Sequence, residues 1–274
     1  MLGKAYPNAR EGVSMTEVAM FFPAYQEGDN LPNVVGRAVK KLEHMYGDRY
    51  KVIIVDDGSA DPTAKKRSDN GYTARVASEL SRQYKQVEVV THTINLGYGA
   101  AFRTGCKAAL DTGANYIAFC DADGQFDPAE VEKLIVHARH TGEDLVIGYR
   151  MKRADSRLRW LTGRGWHFTS RMLLNFGNIT DVDCGFKLFT REALSVLYPQ
   201  LKGDHAVISP EILARAKGKG FRVGEVAVSH RPRQHGQQSG LDWHVVSGSY
   251  GQIWEIGRDI KRLKQLDKQK EMAA

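Results

Sequence analysis

Short apolar runs alternate with amphipathic stretches of helical length through the first 150 residues, and few folds accommodate that alternation. Val18–Ala24, Lys51–Val55, Val87–Thr91, Tyr116–Cys120 and Asp144–Gly148 read as strands. Between them lie the helical patterns Leu31–Met45, Ala64–Tyr84, Ala100–Asp111 and Pro128–His140. The proline of the last falls near its first turn, where a missing N–H costs nothing. Strands alternating with helices of this length form βαβ units. The expected fold is therefore α/β, a mostly parallel sheet flanked by helices.

The pattern breaks after Arg150. Residues 151–176 are basic and aromatic, with Arg157, Arg159, Trp160, Arg164, Trp166, Arg171 and Phe176 close together. A strand is expected at Cys184–Phe189, helices at Arg191–Leu197 and Pro210–Lys217, and a strand at Val223–Val228. The segment His230–Ser239, rich in Arg, Gln and Gly, is expected to be a mobile loop, and Trp243–Leu266 a C-terminal helix with basic residues near its end. The organisation that follows is a loose tail (1–15), one domain (16–240) divided at residue 150, and a basic helix (241–274). No repeat or low-complexity block interrupts it.

At 274 residues the chain has room for one large α/β domain. A net charge of +7 implies an anionic partner, whether nucleotide, phospholipid surface or nucleic acid. The three cysteines include no CxxC pair, so neither a disulfide framework nor a zinc site is expected, and a reducing, cytoplasmic compartment fits. The N-terminus lacks a continuous apolar signal segment, and no stretch approaches the roughly 20 apolar residues of a spanning helix. Cys120 and Cys184 sit in apolar runs as small core residues. His205 and His230 have no metal-binding company and read as structural.

Acids gather where the strands end. Cys120-Asp121-Ala122-Asp123-Gly124-Gln125 follows the apolar run 116–119 directly. Alternate strand residues share a face, so Asp121 and Asp123 converge if strand geometry continues past Cys120. Two close carboxylates repel unless a cation lies between them. Hard oxygen ligands suit Mg²⁺ or Mn²⁺ holding a diphosphate; a helix cap beside a loop carboxylate is the plainer account. The first strand ends in Phe22-Pro23-Ala24-Tyr25-Gln26-Glu27 and the second in Val55-Asp56-Asp57-Gly58-Ser59. Ligands of open parallel sheets bind beyond the carboxyl ends of strands. Glu27, Asp56, Asp57, Asp121 and Asp123 are thus expected along one edge, with Asp61 capping the next helix. Asn95-Leu96-Gly97-Tyr98-Gly99 opens the third helix, and its glycines would let backbone N–H groups approach an anion. Such pairs also make ordinary turns, and the third glycine of the dinucleotide fingerprint is missing.

The series FPAYQE (22–27), VDDGSADPT (55–63), NLGYGAAFRTG (95–105) and DADGQFDP (121–128) resembles, in order and spacing, the nucleotide-sugar half of family 2 inverting glycosyltransferases of the GT-A fold. VIGYR (146–150), TDVDCGFKLF (180–189) and HRPRQHGQQSG (230–240) are similar to the branch that loads sugars onto polyprenyl phosphates, the dolichyl-phosphate mannose and glucose synthases. The resemblance spans roughly residues 17–240 and is strongest at DADGQ. It implies that Pro23, Tyr25 and Glu27 line the nucleoside pocket and that Asp57 binds the base. Asp56, Asn95, Gly97, Asp121 and Ala122 complete the donor site. Asp123 binds the Mg²⁺ or Mn²⁺, with Gln125 as second ligand. Arg150 faces the acceptor phosphate, Arg164 and Ser170 form a second phosphate-binding pair, and Arg231, Arg233, Gly236 and Ser239 belong to a loop closing over the diphosphate. The sequence departs from the family pattern at Gln26, where Asn is usual, and at Ser209, where many relatives carry an acid two residues before Glu211. A phosphate acceptor is already anionic and needs no strong base, so the second departure favours such an acceptor, although Glu211 remains as an orienting group or base.

The implied reaction is a single in-line displacement that transfers a hexose from a nucleotide sugar to a polyprenyl phosphate with inversion. GDP-mannose is weighted ahead of UDP-glucose as donor. CGFKLF leans towards glucose relatives and the compact length towards mannose ones. The basic-aromatic stretch 156–176 is the candidate for contact with a membrane surface, the enzyme lying peripherally on the cytoplasmic face; packing of Trp160 and Trp166 on the domain is the alternative. The basic run near the C-terminus reads as a solvated helix face. Two other functions stay open, the same donor chemistry with a soluble acceptor and, remotely, a nucleic-acid-binding module. No nucleic-acid-binding signature supports the latter.

Overall fold

The computed structural model describes residues 16–61, 69–151, 171–174, 176–204, 207–235, 251–263, 265 and 269. The tail 1–15 and most of the basic-aromatic stretch lie outside these residues. Seven strands, β1 (Val18–Ala24), β2 (Tyr50–Asp56), β3 (Val87–Thr91), β4 (Tyr116–Cys120), β5 (Leu145–Arg150), β6 (Phe186–Thr190) and β7 (Val223–Val228), form one sheet. Its order is β3-β2-β1-β4-β6-β5-β7. Helices α1 (Leu31–Tyr46), α2 (Tyr72–Gln83), α3 (Tyr98–Asp111), α4 (Val131–Thr141), α5 (Arg191–Leu197) and α6 (Ile208–Gly218) flank it. The sheet is mostly parallel as expected, with β6 running antiparallel to both β4 and β5. Strands from both sides of residue 150 share it.

The central strands are apolar throughout because both faces are covered, and every residue of β4 is buried. Pro23 is tolerated in β1 because it lies beyond the last β1–β4 pair, Phe21↔Phe119. Helix α1 packs Leu31, Val34, Val35, Ala38, Val39 and Leu42 inward at helical spacing. Phe21, Phe102 and Phe119 form an aromatic knot with ring centroids 4.9–5.4 Å apart. Gly105 admits it, since a Cβ there would lie 2.2 Å from the Phe21 ring.

Two boundaries differ from expectation for local reasons. Asp127 accepts the Ala129 N–H at 3.1 Å, so Pro128–Glu130 winds as a 3₁₀ turn before α4 begins. Helix α2 starts at Tyr72, where the Asp69 carboxylate accepts the Thr73 N–H at 2.9 Å; residues 62–68 are outside the described set. Residues 251–263 are helical, with Ile253, Ile256 and Ile260 buried on one face. Asp259 ties this helix to Arg215 (2.7 Å) and Lys202 (3.1 Å). Its opposite face carries exposed Trp254 with the Arg258 guanidinium stacked 3.8 Å from the ring centre. Among the described residues no helix is long and apolar enough to cross a membrane.

Strands β1, β2, β4, β5 and β7 all point the same way, so their carboxyl ends share one edge of the sheet. The turn entering antiparallel β6 reaches that edge too. Asp56, Asp121 and Arg150 lie at or just beyond these strand ends.

Candidate active site

The acidic segment after β4 is built by its neighbours. The Asp121 N–H continues the ladder to Gly185 O (2.9 Å), and the Tyr98 hydroxyl donates to Asp121 Oδ1 (2.9 Å). The Asp121 carboxylate fills the space a side chain at 185 would need: a Cβ there would lie 1.8 Å from Oδ2. Loss of water raises the Asp121 pKa to about 7, with repulsion from Asp123 adding to it. The Tyr98 hydrogen bond, Lys187 and Arg150 pull in the other direction. Asp123 turns the chain by accepting the Gln125 N–H (3.0 Å), with Gly124 at φ +75° completing the turn.

The residues after β7 lie across this turn. Phe126 and His230 form a β-bridge, and the Arg231 N–H donates to Gln125 O (2.8 Å). The Gln125 carboxamide N–H donates to Arg231 O (3.2 Å). Arg233 forms an ion pair with Glu27 and stands 3.6 Å from Asp123 Oδ2. Glu27, Asp123 and Arg233 thus meet, with Gln125 beside them on the same turn. Arg231 turns away to Asp127 (3.3 Å). Burial raises the Glu27 pKa, against the pull of Arg233 and the Asn30 amide.

The donor set fits a divalent cation. Asp123 offers a carboxylate and Gln125 a carboxamide oxygen, and a guanidinium already stands against Asp123. Among the described residues no cluster of three His, Cys, Asp or Glu side chains could hold a metal alone. Mg²⁺ is commonly held by one or two protein carboxylates together with substrate phosphates and water, which matches this sparse set.

The structure reassigns the anion cradle at the third helix. The α3 N-terminus does receive a carboxylate, but it belongs to the chain itself: Gly99 N–H donates to Asp204 Oδ1 at 2.5 Å. Asp57 takes the N–H groups of Leu96 (3.0 Å) and Gly97 (2.9 Å). It also bonds His92 Nδ1 (2.7 Å), whose Nε2 reaches Thr104 Oγ1 (2.9 Å). The Asn95 amide donates to Asp57 O (3.1 Å). Asp57, Asn95 and Gly97 therefore brace one another. Asp56 is fully buried, accepts the Ser59 N–H at 3.1 Å, and has its pKa raised by burial. Ala122 is buried; Tyr25 is half-buried beyond β1. Gln26 adopts φ +58°, a left-handed conformation that Asn tolerates better, which accounts for Asn as the usual family residue.

On the antiparallel side the charges are paired. Arg150 donates to Asp181 through Nε (2.6 Å) and Nη2 (2.7 Å), both side chains nearly buried. Lys187 is fully buried; its ammonium donates to Cys184 O and to Ser209 Oγ (2.9 Å), and burial lowers its pKa. Ser209 thus serves as a neutral partner for a buried cation. Glu211 is also fully buried and accepts from Gly203 N–H (2.6 Å), Lys202 N–H (3.0 Å) and Arg215 Nε (2.8 Å). That engagement makes it a clamp on the 202–203 turn, in keeping with an orienting group rather than a base. Arg164, Ser170, Gly236 and Ser239 lie outside the described residues.

Sequence reasoning missed Tyr98, Asp181, Gly185, Lys187 and Asp204. Only Gly185 carried a signal, a glycine at a strand entrance where something must approach closely. The other pairings join residues 22 to 105 positions apart.

The seven-stranded, mostly parallel sheet with acids at its carboxyl edge has the GT-A fold. The family model described as glycosyl transferase family 2 matches residues 20–197, and the chain belongs to that family. It is a glycosyltransferase. A dolichyl-phosphate beta-glucosyltransferase of Saccharomyces cerevisiae is 28% identical over 268 residues, covering 90% of this chain and 73% of the yeast protein. Another from Trichomonas vaginalis is 27% identical, covering 85% and 67% of the two chains. Among solved structures, glucosyl-3-phosphoglycerate synthase of Mycobacterium tuberculosis superposes with a TM-score of 0.62 at 17% identity, covering 89% of this chain and 80% of that one. A mannosyltransferase of Pyrobaculum calidifontis in complex with GDP-Man and Mn²⁺ gives 0.54 at 12%, covering 90% and 74%. These two likenesses concern the fold.

Proposed function

We propose that this enzyme transfers a hexose, with inversion, from a nucleotide sugar to a polyprenyl phosphate at a membrane surface. The observation that carries the reading is the meeting of Glu27, Asp123 and Arg233 at the strand ends, with the Arg150 guanidinium near enough to Asp121 to act on its charge. Glu27 suits ribose hydroxyls and Arg233 a diphosphate, since guanidinium matches phosphate geometry. Asp123 and Gln125 would hold Mg²⁺ or Mn²⁺. When bound, the ion supplies Lewis-acid neutralisation of the departing nucleoside diphosphate. Arg233 supplements that charge from the 230–235 segment. Arg150 places the acceptor phosphate on the opposite face, and this anion needs no protein base. Glu211, already saturated, is not called on. Positioning and electrostatics supply most of the barrier reduction.

The relatives named as dolichyl-phosphate beta-glucosyltransferases support the lipid phosphate as acceptor and move the preferred donor from GDP-mannose to UDP-glucose. Such an acceptor fits work at a membrane surface, which the proposal sets on the cytoplasmic face. The test is to incubate the protein with Mn²⁺, a short polyprenyl phosphate and a panel of radiolabelled UDP- and GDP-sugars. Label from one donor entering the organic phase is the expected result. Metal-dependent release of nucleoside diphosphate without lipid label would move the acceptor to the soluble class.

A further inference from the structure

We infer that Asp181 and Glu225 are positioning residues that set the aim of Arg150 on the acceptor side. The inference rests on the proposed role of Arg150 towards the acceptor phosphate. Arg150 ends β5, and a long side chain at a strand terminus ordinarily samples many rotamers. Here Asp181 removes that freedom. Its Oδ2 accepts from Arg150 Nε (2.6 Å) and also from the Arg150 backbone N–H (3.2 Å), while Oδ1 accepts from Nη2 (2.7 Å). One carboxylate thus fixes both the root and the head of the arginine. The Asp181 side chain is 3% exposed and that of Arg150 is 11% exposed, so water screens the fork weakly.

Asp181 is held in turn. Glu225 in β7 accepts from Thr180 N–H (2.8 Å), Thr180 Oγ1 (3.0 Å) and Asp181 N–H (3.3 Å). Glu225 pairs in register with Ile147 of β5, three residues before Arg150. The same strand that leads into Arg231 and Arg233 therefore anchors the turn that aims Arg150. The arrangement links the two phosphate-facing sides of the cleft through rigid sheet. Bidentate guanidinium–carboxylate forks confer direction as well as energy, and a displacement of about 1 Å at a reacting group can cost about a hundredfold in rate.

The test measures transfer kinetics with polyprenyl phosphate varied at saturating donor, beside calorimetric binding of nucleoside diphosphate with Mn²⁺. Asp181→Asn keeps the shape but gives the fork one acceptor oxygen in place of two. It should raise the acceptor KM about tenfold while leaving nucleoside diphosphate affinity within about twofold. Glu225→Gln, half-exposed on β7 and safe for folding, should move the acceptor KM the same way by about threefold. Asp181→Glu, retaining the carboxylate, should recover part of the loss. An unchanged or lowered acceptor KM in both neutral variants would overturn the proposal, as would an equal loss of nucleotide affinity, which marks a general structural role. If the unaltered enzyme transfers nothing to polyprenyl phosphate, the acceptor reading fails and takes the proposal with it. Normal transfer by that enzyme beside an unaffected Asp181→Asn sinks the proposal alone.

Discussion

The parallel edge and the antiparallel flank use charge in opposite ways. At the carboxyl ends of β1 and β4, Glu27, Asp121 and Asp123 crowd together, with Arg233 against Glu27 and Asp123 and the charges of Lys187 and Arg150 acting on Asp121. On the flank formed by β5, β6 and α6, the buried charges are tied in place: Arg150 by Asp181, Arg215 by Glu211 and Asp259, and the Lys187 ammonium by the neutral Ser209 hydroxyl. A surplus of one sign at a strand edge stores electrostatic repulsion that a ligand can relieve. A set of closed pairs stores none and fixes geometry instead. The difference separates residues that meet the substrate from residues that hold the others still.

Substitutions can break or sharpen that contrast. Asp123→Ala should lower kcat by about a thousandfold or more while the urea midpoint stays unchanged, because the edge acid serves ligand rather than fold. A large loss of stability would place Asp123 with the paired set. Glu211→Gln should do the reverse. Leaving Arg215 without its full countercharge and stripping the Lys202 and Gly203 N–H groups of a carboxylate costs about 3 kcal/mol, read by denaturant unfolding. Nucleotide binding by the folded fraction should persist.

Asp121→Asn sharpens the contrast through pH. In the unfolded chain this acid ionises near 3.8; in the folded protein it does so at about 7. The unfolded state therefore loses its proton first, and wild-type stability falls as pH rises through that window. The variant should be more stable than wild type by on the order of 1–2 kcal/mol at pH 8. The advantage should shrink as pH falls through 7 and be gone below 4, as thermal unfolding across pH would show. The smallest effect belongs to Gln26→Asn, which relaxes a left-handed backbone and should add about 0.5 kcal/mol without changing turnover.

The same contrast explains what the sequence made legible. The parallel sheet and the acid edge, unlike the Asp123–Gln125 turn that ends strand geometry beyond Asp121, follow from local spacing: an apolar run and then acids. Such patterns survive in a linear reading because neighbours in sequence are neighbours in space. The flank does not work that way. Ser209 reads as a lost acid until Lys187, 22 positions earlier, is seen pointing at it. Glu211 reads equally as an orienting group or a base until the N–H groups of the 202–203 turn are found on it. The glycines at 97 and 99 can offer backbone N–H groups to an anion or make an ordinary turn, and nothing in their spacing announces that the Gly99 N–H goes to Asp204, about a hundred residues later. Even Gln26 became interpretable only through its positive φ.

The most direct test of this division is calorimetric binding of nucleoside diphosphate in the presence of Mn²⁺ to the unaltered enzyme, Asp123→Ala and Glu211→Gln. The account predicts metal-dependent binding by the first, its loss in the second and its retention in the folded fraction of the third. Retained metal-dependent binding by Asp123→Ala, with loss in folded Glu211→Gln, would contradict it.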